Sequence, residues 1–188
     1  MRAGFLRLIA VMVVCLTTPG CLQNSVREVT ETRHAHPDSA HSLVVLGVGL
    51  EAAWPAQAFS LGLDEYSFKK HDIAGNCFRF NHIEATRPPI LGKVTYFVYE
   101  VPAGTYVYSP FNPNAILAPS GSVTGFAAPA GKAVYFGDYV FVGNKTVELR
   151  RDIEAARLGV RSLIPGDLML NQAEPVAVAH VHPFLCTA

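Results

Sequence analysis

A chain of 188 residues that is 50% hydrophobic and 16% charged holds enough apolar material for one folded domain, and its low charge excludes a disordered chain. Fifteen Lys and Arg balance fifteen Asp and Glu, so the basic surplus that is typical of nucleic-acid-binding proteins is absent. The composition therefore predicts a folded protein without a nucleic-acid partner.

The first 20 residues have the three parts of a signal peptide. Arg2 and Arg7 supply positive charge, residues 8–16 are an apolar run, and small and polar residues follow as far as Gly20. The apolar run is too short to cross a bilayer as a helix, which takes about 20 residues. We therefore expect residues 1–20 to be a targeting segment that is removed and takes no part in the fold.

Gly20-Cys21 resembles the site at which bacterial lipoproteins are cleaved and then lipid-modified on the cysteine. The resemblance implies a membrane anchor at Cys21, and plain secretion into the periplasm is the alternative. Such lipoproteins carry Asp after the cysteine when they stay in the inner membrane. Leu22 at that position implies delivery to the periplasmic face of the outer membrane of a Gram-negative cell.

Residues 21–42 are predicted to be a flexible tether between this anchor and the folded domain. The segment is polar and has no apolar period. Burial of so few apolar groups would not offset the entropy lost on ordering. The tether would hold the domain a short distance from the membrane.

Two more cysteines, Cys77 and Cys186, follow in the exported part of the chain. Disulfides persist in that compartment, and a bridge that closes so long a loop could stabilise the fold by about 4–5 kcal/mol. Two separate buried thiols are the alternative, because a sequence does not supply the geometry that a bridge requires.

From residue 43 to residue 188, short β-branched and aromatic runs alternate with turn residues, which predicts an antiparallel β-sandwich. In the first half, the predicted strands cover residues 43–50, 59–63, 77–83 and 94–101. Pro102-Ala103-Gly104 has the residues of a tight turn. Residues 105–108 are therefore expected to return as the antiparallel partner of 94–101.

In the second half, we predict strands at 122–128, 133–142, 146–149 and 176–181. Residues 133–142 are expected to form two strands with a bend or bulge at Gly137-Asp138. One helix is convincing and it is short. Asp152 can cap residues 153–158, and Gly159 can end the helix.

Two motifs in these strands carry a family resemblance. Pro102-Ala103-Gly104-Thr105-Tyr106 is one, and the run from Gly131-Lys132 to Gly137-Asp138 is the other. Between Leu43 and Pro165 the chain resembles a set of uncharacterised proteobacterial lipoproteins with a β-sandwich domain, a PxGxY hairpin and a GKxxYxGD strand. The resemblance implies an envelope protein and no particular reaction.

No established catalytic motif occurs, so no catalytic residue is predicted and the protein is not expected to be an enzyme. Val123 stands where the nucleophile elbow requires Ser. Asp64 and Glu65 are adjacent acids, which on a strand would point to opposite faces instead of converging. An unrecognised envelope enzyme would need a pocket in which His82 or His71 meets an acid and a hydroxyl.

His180 and His182 would share one face of a strand, a spacing that can bind a metal. His34 and His36 repeat this spacing in the predicted tether. Exposed histidines near a flexible terminus are the simpler interpretation, since no further ligand lies at a recognised spacing. No cofactor is predicted.

Six tyrosines cluster in the predicted strands: Tyr96, Tyr99, Tyr106, Tyr108, Tyr135 and Tyr139. Core and cross-strand packing is the simpler interpretation, and a face that binds a sugar or a partner is the alternative. The sequence as a whole predicts an envelope lipoprotein that works through protein contacts or envelope structure. A secreted periplasmic module that binds sugar, peptide or metal is the alternative.

Overall fold

The computed structural model describes residues 23–33, 35–53, 61–76, 78–87, 90–109, 124–144 and 146–178. These ranges contain one helix, α1 (Ile153–Val160), and twelve strands. The strands are β1 (Arg27–Val29), β2 (His41–Leu50), β3 (Leu61–Ser67), β4 (Asp72–Ile73), β5 (His82–Ala85), β6 (Val94–Pro102), β7 (Gly104–Tyr108), β8 (Thr124–Ala128), β9 (Ala133–Gly143), β10 (Thr146–Arg150), β11 (Leu170–Gln172) and β12 (Pro175–Ala177).

The strands form two six-stranded sheets that share one core. The first sheet has the order β1-β6-β2-β9-β10, with β11 also paired to β9. The second has the order β12-β8-β7-β3-β4, with β5 also paired to β3. The predicted two-sheet β fold with one short helix is confirmed. The first sheet is mixed, however, because β9 runs parallel to both β2 and β11.

The central strand β2 is buried on both faces. Val44, Leu46 and Val48 belong to the core between the sheets. Leu43 and Val45 belong to a second apolar cluster on the outer face, which also contains residues of α1. A strand covered on both sides has no reason to alternate apolar with polar residues. This double burial explains the continuous apolar run that predicted the strand.

Helix α1 begins at the predicted cap. The Asp152 carboxylate accepts a hydrogen bond from the Ala155 backbone N–H at 3.0 Å. Gly159 was expected to end the helix, and that prediction is wrong, because α1 continues to Val160. Gly159 instead allows α1 to approach the first sheet, since a Cβ there would lie 2.3 Å from Cδ2 of Tyr96.

The predicted hairpin at Pro102-Ala103-Gly104 is also wrong. Strand β6 ends in the first sheet and β7 begins in the second, so the chain crosses between sheets at this turn. Both edges of β6 are already paired, with β1 and with β2, and no edge is left for β7. The Tyr106 hydroxyl donates to the Pro102 carbonyl at 2.9 Å and closes the corner.

Residues 133–143 form one strand where two were predicted. The expected irregularity is a bulge, because the pairing with β2 skips Phe136 between Tyr135 and Gly137. Gly137 has φ +133°, and a Cβ there would lie 2.8 Å from the Arg150 backbone oxygen. Glycine therefore suits this position in both conformation and space.

The predicted tether is folded onto the domain over much of its length. Gln23 donates its backbone N–H to the Phe78 carbonyl at 2.7 Å. Strand β1 pairs with β6, and Val29 is buried. Strand β2 begins at His41, before the expected boundary. The tether prediction fails here because it relied on side chains, and this segment has few apolar ones. The backbone N–H and C=O groups of the segment instead form hydrogen bonds with an edge of β6.

Within the described ranges, no helix has both the length and the apolar character needed to cross a membrane.

Candidate functional site

The site residues predicted from the sequence all lie outside the described residues: Cys21, Cys77, Cys186, His180 and His182. The lipid anchor, the disulfide and the metal pair therefore stay predictions. In the part of the chain that the structure describes, no group of three or more His, Cys, Asp and Glu side chains could hold a metal ion.

A buried carboxylate and a histidine meet on the second sheet. Asp64 of β3 and His82 of β5 are directly opposed in the antiparallel register. Asp64 is fully buried, and its Oδ1 lies 2.5 Å from Nδ1 of His82. The imidazole is 20% exposed and stacks on Phe80, with ring centroids 5.5 Å apart. Carboxylate and ring together hold the imidazole in one orientation.

A glycine and a serine complete the surroundings of this ring. A Cβ on Gly62 would lie 2.7 Å from Cε1 of His82 and 3.0 Å from Cβ of Ser109. Since glycine leaves this space open, the imidazole lies across Gly62 and close to Ser109, which is buried. An acid, a histidine and a hydroxyl residue are thus brought together by β3, β5 and the end of β7.

In sites of nucleophilic catalysis, a histidine acts as the base and a carboxylate bonded to its ring orients it. The His82–Asp64 pair has this part of the geometry. Such a site also needs the nucleophile within hydrogen-bond reach of the imidazole. The Asp64–His82 contact links β3 to β5. The other oxygen of the Asp64 carboxylate, Oδ2, is buried without a hydrogen-bond partner.

The adjacent acid, Glu65, faces away from Asp64, as strand alternation requires. Its Oε2 accepts a hydrogen bond from Nδ2 of Asn81 at 2.6 Å. The Asn81 Oδ1 in turn accepts from the Ser25 backbone N–H at 3.1 Å. The two acids do not converge on one substrate position, and Glu65 instead helps to fix the N-terminal segment to the second sheet.

A cleft of about 250 Å³ opens beside this contact. Its lining residues are Glu65, Lys70, Ala74, Gly75, Asn76, Arg79 and Asn81. Lys70 donates from Nζ to the Gly75 carbonyl at 2.9 Å. Two cationic side chains and one carboxylate therefore surround the cleft, at the end of the second sheet where Gln23 joins the domain.

A second buried carboxylate lies on the outer face of the first sheet. Asp138 is 4% exposed, and the Tyr96 hydroxyl donates to its Oδ2 at 3.5 Å. Burial raises the pKa of Asp138 above its usual range, and its Oδ1 is buried without a hydrogen-bond partner. Because Tyr96 packs against Gly159 of α1, the cluster lies beside the helix and joins it to the sheet.

The six tyrosines pack within the domain. Tyr99, Tyr106, Tyr135 and Tyr139 are buried, and Tyr96 and Tyr108 are partly buried. Burial is the main cause that raises the pKa of the Tyr108 hydroxyl to about 12. Packing is therefore the role of these side chains, and they do not form the exposed aromatic face that was the alternative.

The described residues define the class of this protein as a two-sheet β-sandwich with helix α1 on an outer face. Comparison with protein-family models, with curated proteins and with solved structures found no match.

Proposed function

We propose that this chain is an envelope lipoprotein anchored through Cys21, on the periplasmic face of the outer membrane of a Gram-negative cell. Its β-sandwich is a non-enzymatic module that acts through protein contacts or envelope structure. The observation that carries the proposal is the leader-like segment of residues 1–20, which ends in Gly20 and is followed at once by Cys21. The likeness to proteobacterial lipoproteins supports it. Secretion as a periplasmic module that binds sugar, peptide or metal is the alternative.

The start of the folded domain sharpens this proposal. Gln23 is already hydrogen-bonded to Phe78 and Phe80, which lie between β4 and β5 of the second sheet. Two residues span at most about 7 Å. A lipid on Cys21 would therefore hold the sandwich directly against the membrane and not at the end of a flexible stalk.

Metabolic labelling with radioactive palmitate tests the anchor. We expect label in the parent and in Cys77→Ala, the matched cysteine control, and loss of label in Cys21→Ala. The labelled protein should sediment with the outer membrane in a density gradient. Equal labelling of the parent and Cys21→Ala would refute the anchor, and a protein found wholly in the soluble periplasmic fraction would favour the alternative.

A further inference from the structure

Exposed aromatic and cationic side chains lie on two neighbouring loops near the point where Gln23 joins the domain. Phe78 is 73% exposed and Phe68 is 49% exposed. Lys69 and Lys70 follow Phe68 in the exposed turn between β3 and β4, and Arg79 follows Phe78. We call these five residues the aromatic-basic patch.

Hydrogen bonds hold the two loops of this patch in place. Lys70 reaches across from the β3–β4 turn to the Gly75 carbonyl. The Asn76 side chain accepts from the backbone N–H groups of Phe78 and Arg79 at 2.8 and 2.9 Å. The backbone of Phe78 is thus held by hydrogen bonds, while its side chain is exposed to solvent.

The N-terminal end of the domain is in direct contact with the patch. Gln23 donates to the Phe78 carbonyl and accepts from the Phe80 N–H, and it forms a bridge with Arg79. A membrane anchored at Cys21 would consequently lie within about 7 Å of Gln23. The patch therefore lies next to the point from which this anchor would extend.

We propose that the aromatic-basic patch docks on an anionic phospholipid surface, an inference that rests on the proposed anchoring for the direction of the membrane. Phenylalanine rings insert at the boundary between headgroups and acyl chains, and long cationic side chains reach the headgroups. Lys69, Lys70 and Arg79 outnumber the two acids nearby. These are Asp72, whose carboxylate accepts from the Ile73 N–H, and Glu65, which lines the cleft beside Lys70 and Arg79.

The patch would add a second membrane contact to the lipid on Cys21. Stable anchoring by lipidation generally needs two signals, such as an acyl chain and a basic surface. Lipid is a better occupant than a protein partner because the chain itself carries the patch to the bilayer. Docking would also fix the orientation of the sandwich, with the second sheet's β3–β4 end towards the membrane.

Vesicle binding tests the patch without the anchor. The probe protein is the mature chain from Cys21 with Cys21→Ser, which keeps every described residue and carries no lipid. We expect it to sediment with vesicles of phosphatidylcholine that contain phosphatidylglycerol, and much less with phosphatidylcholine alone. Binding should fall at high salt, because salt screens the attraction of exposed charges.

Point variants then identify the surface. Phe78→Ala should weaken binding about tenfold, which corresponds to about 1.4 kcal/mol. Arg79→Gln should weaken it about fivefold, since a cation near an anionic surface contributes about 1 kcal/mol. The matched control is Leu158→Ala, which removes a side chain that is 70% exposed on α1 and should leave binding unchanged. Far-UV circular dichroism would check that each variant is folded.

The outcomes separate this inference from the proposed anchor. Absence of binding to phosphatidylglycerol vesicles, or a Phe78→Ala variant that binds as well as Leu158→Ala, overturns the patch even if Cys21 is labelled with palmitate. Patch-dependent binding supports the docking surface even if palmitate labelling fails, and the anchor alone is then refuted.

Discussion

Gly47 lies where an added methyl group would overlap two neighbouring side chains. It is in the middle of β2, between Tyr96 of β6 and Asp138 of β9. A Cβ at this position would lie 2.0 Å from Oδ1 of Asp138 and 2.7 Å from Cγ1 of Val94. Pairing on both sides leaves β2 little freedom to move away from the overlap.

The magnitude follows from two opposed effects. Replacing glycine by alanine at a compatible site stabilises a protein by about 0.4–1 kcal/mol, because the unfolded chain loses freedom. Overpacking a well-packed site costs about 1–3 kcal/mol. We therefore expect Gly47→Ala to lower the free energy of unfolding by about 1–2 kcal/mol. Urea denaturation followed by far-UV circular dichroism would measure the change.

A control and a double variant test the stated cause. Gly166→Ala should change the free energy of unfolding by less than about 0.5 kcal/mol, since nothing lies within 4 Å of the added carbon. Asp138→Ala removes the overlapping carboxylate, so the cost of Gly47→Ala should shrink by about 1 kcal/mol in that background. A Gly47→Ala protein as stable as the parent, or an equal cost in both backgrounds, would refute the reasoning.

Three further predictions concern stability. Phe136→Ala should lower the free energy of unfolding, measured in urea, by about 3–5 kcal/mol. The reason is that the Phe136 ring is fully buried, with its centroid 5.1 Å from that of Phe126. A loss below about 1 kcal/mol would contradict this core position. The pKa of Asp138 is raised in the folded state, so the folded state binds more protons than the unfolded state. The stability of the parent should therefore fall relative to that of Asp138→Asn as pH rises from the ordinary carboxyl pKa of 3.8 towards neutrality. Parallel curves of unfolding free energy against pH for the two proteins would argue against this. Asp152→Ala should lower the free energy of unfolding by about 1 kcal/mol, because it removes the α1 cap. Asp152→Ser can still accept the hydrogen bond from Ala155 and should retain most of that stability. Equal thermal midpoints for the parent and Asp152→Ala would exclude the capping role.

Much of the local structure could be predicted, because its causes are local. The apolar runs of β2, β6 and β9 are long enough to indicate buried strands without any partner in view. Asp152 caps α1 through a bond to a residue three positions along the chain. The irregularity at Gly137 was also predicted, since glycine within an apolar strand indicates a bulge.

The candidate site could not be predicted, because its contacts join residues far apart in the chain. Asp64 and His82 become neighbours through the register of β3 with β5. Gln23 meets Phe78 because the N-terminal segment crosses from the second sheet to the edge of the first. Neither the separation nor the residue types of these pairs give a recognised motif.

The turn at Pro102-Ala103-Gly104 combines a feature that could be predicted with one that could not. Its residues predict a tight reversal, and the chain does reverse there. Whether the next strand pairs with β6 or crosses to the other sheet depends on which edges are free, and β1 and β2 occupy both. The sequence by itself determined that this is an apolar β domain, and it predicts an export leader before that domain. The tertiary structure alone decided which strands share a sheet and which side chains meet. It also placed Gln23 beside the exposed Phe78. Sequence alone could not decide these points, because edge pairing and shared burial depend on the whole chain at once.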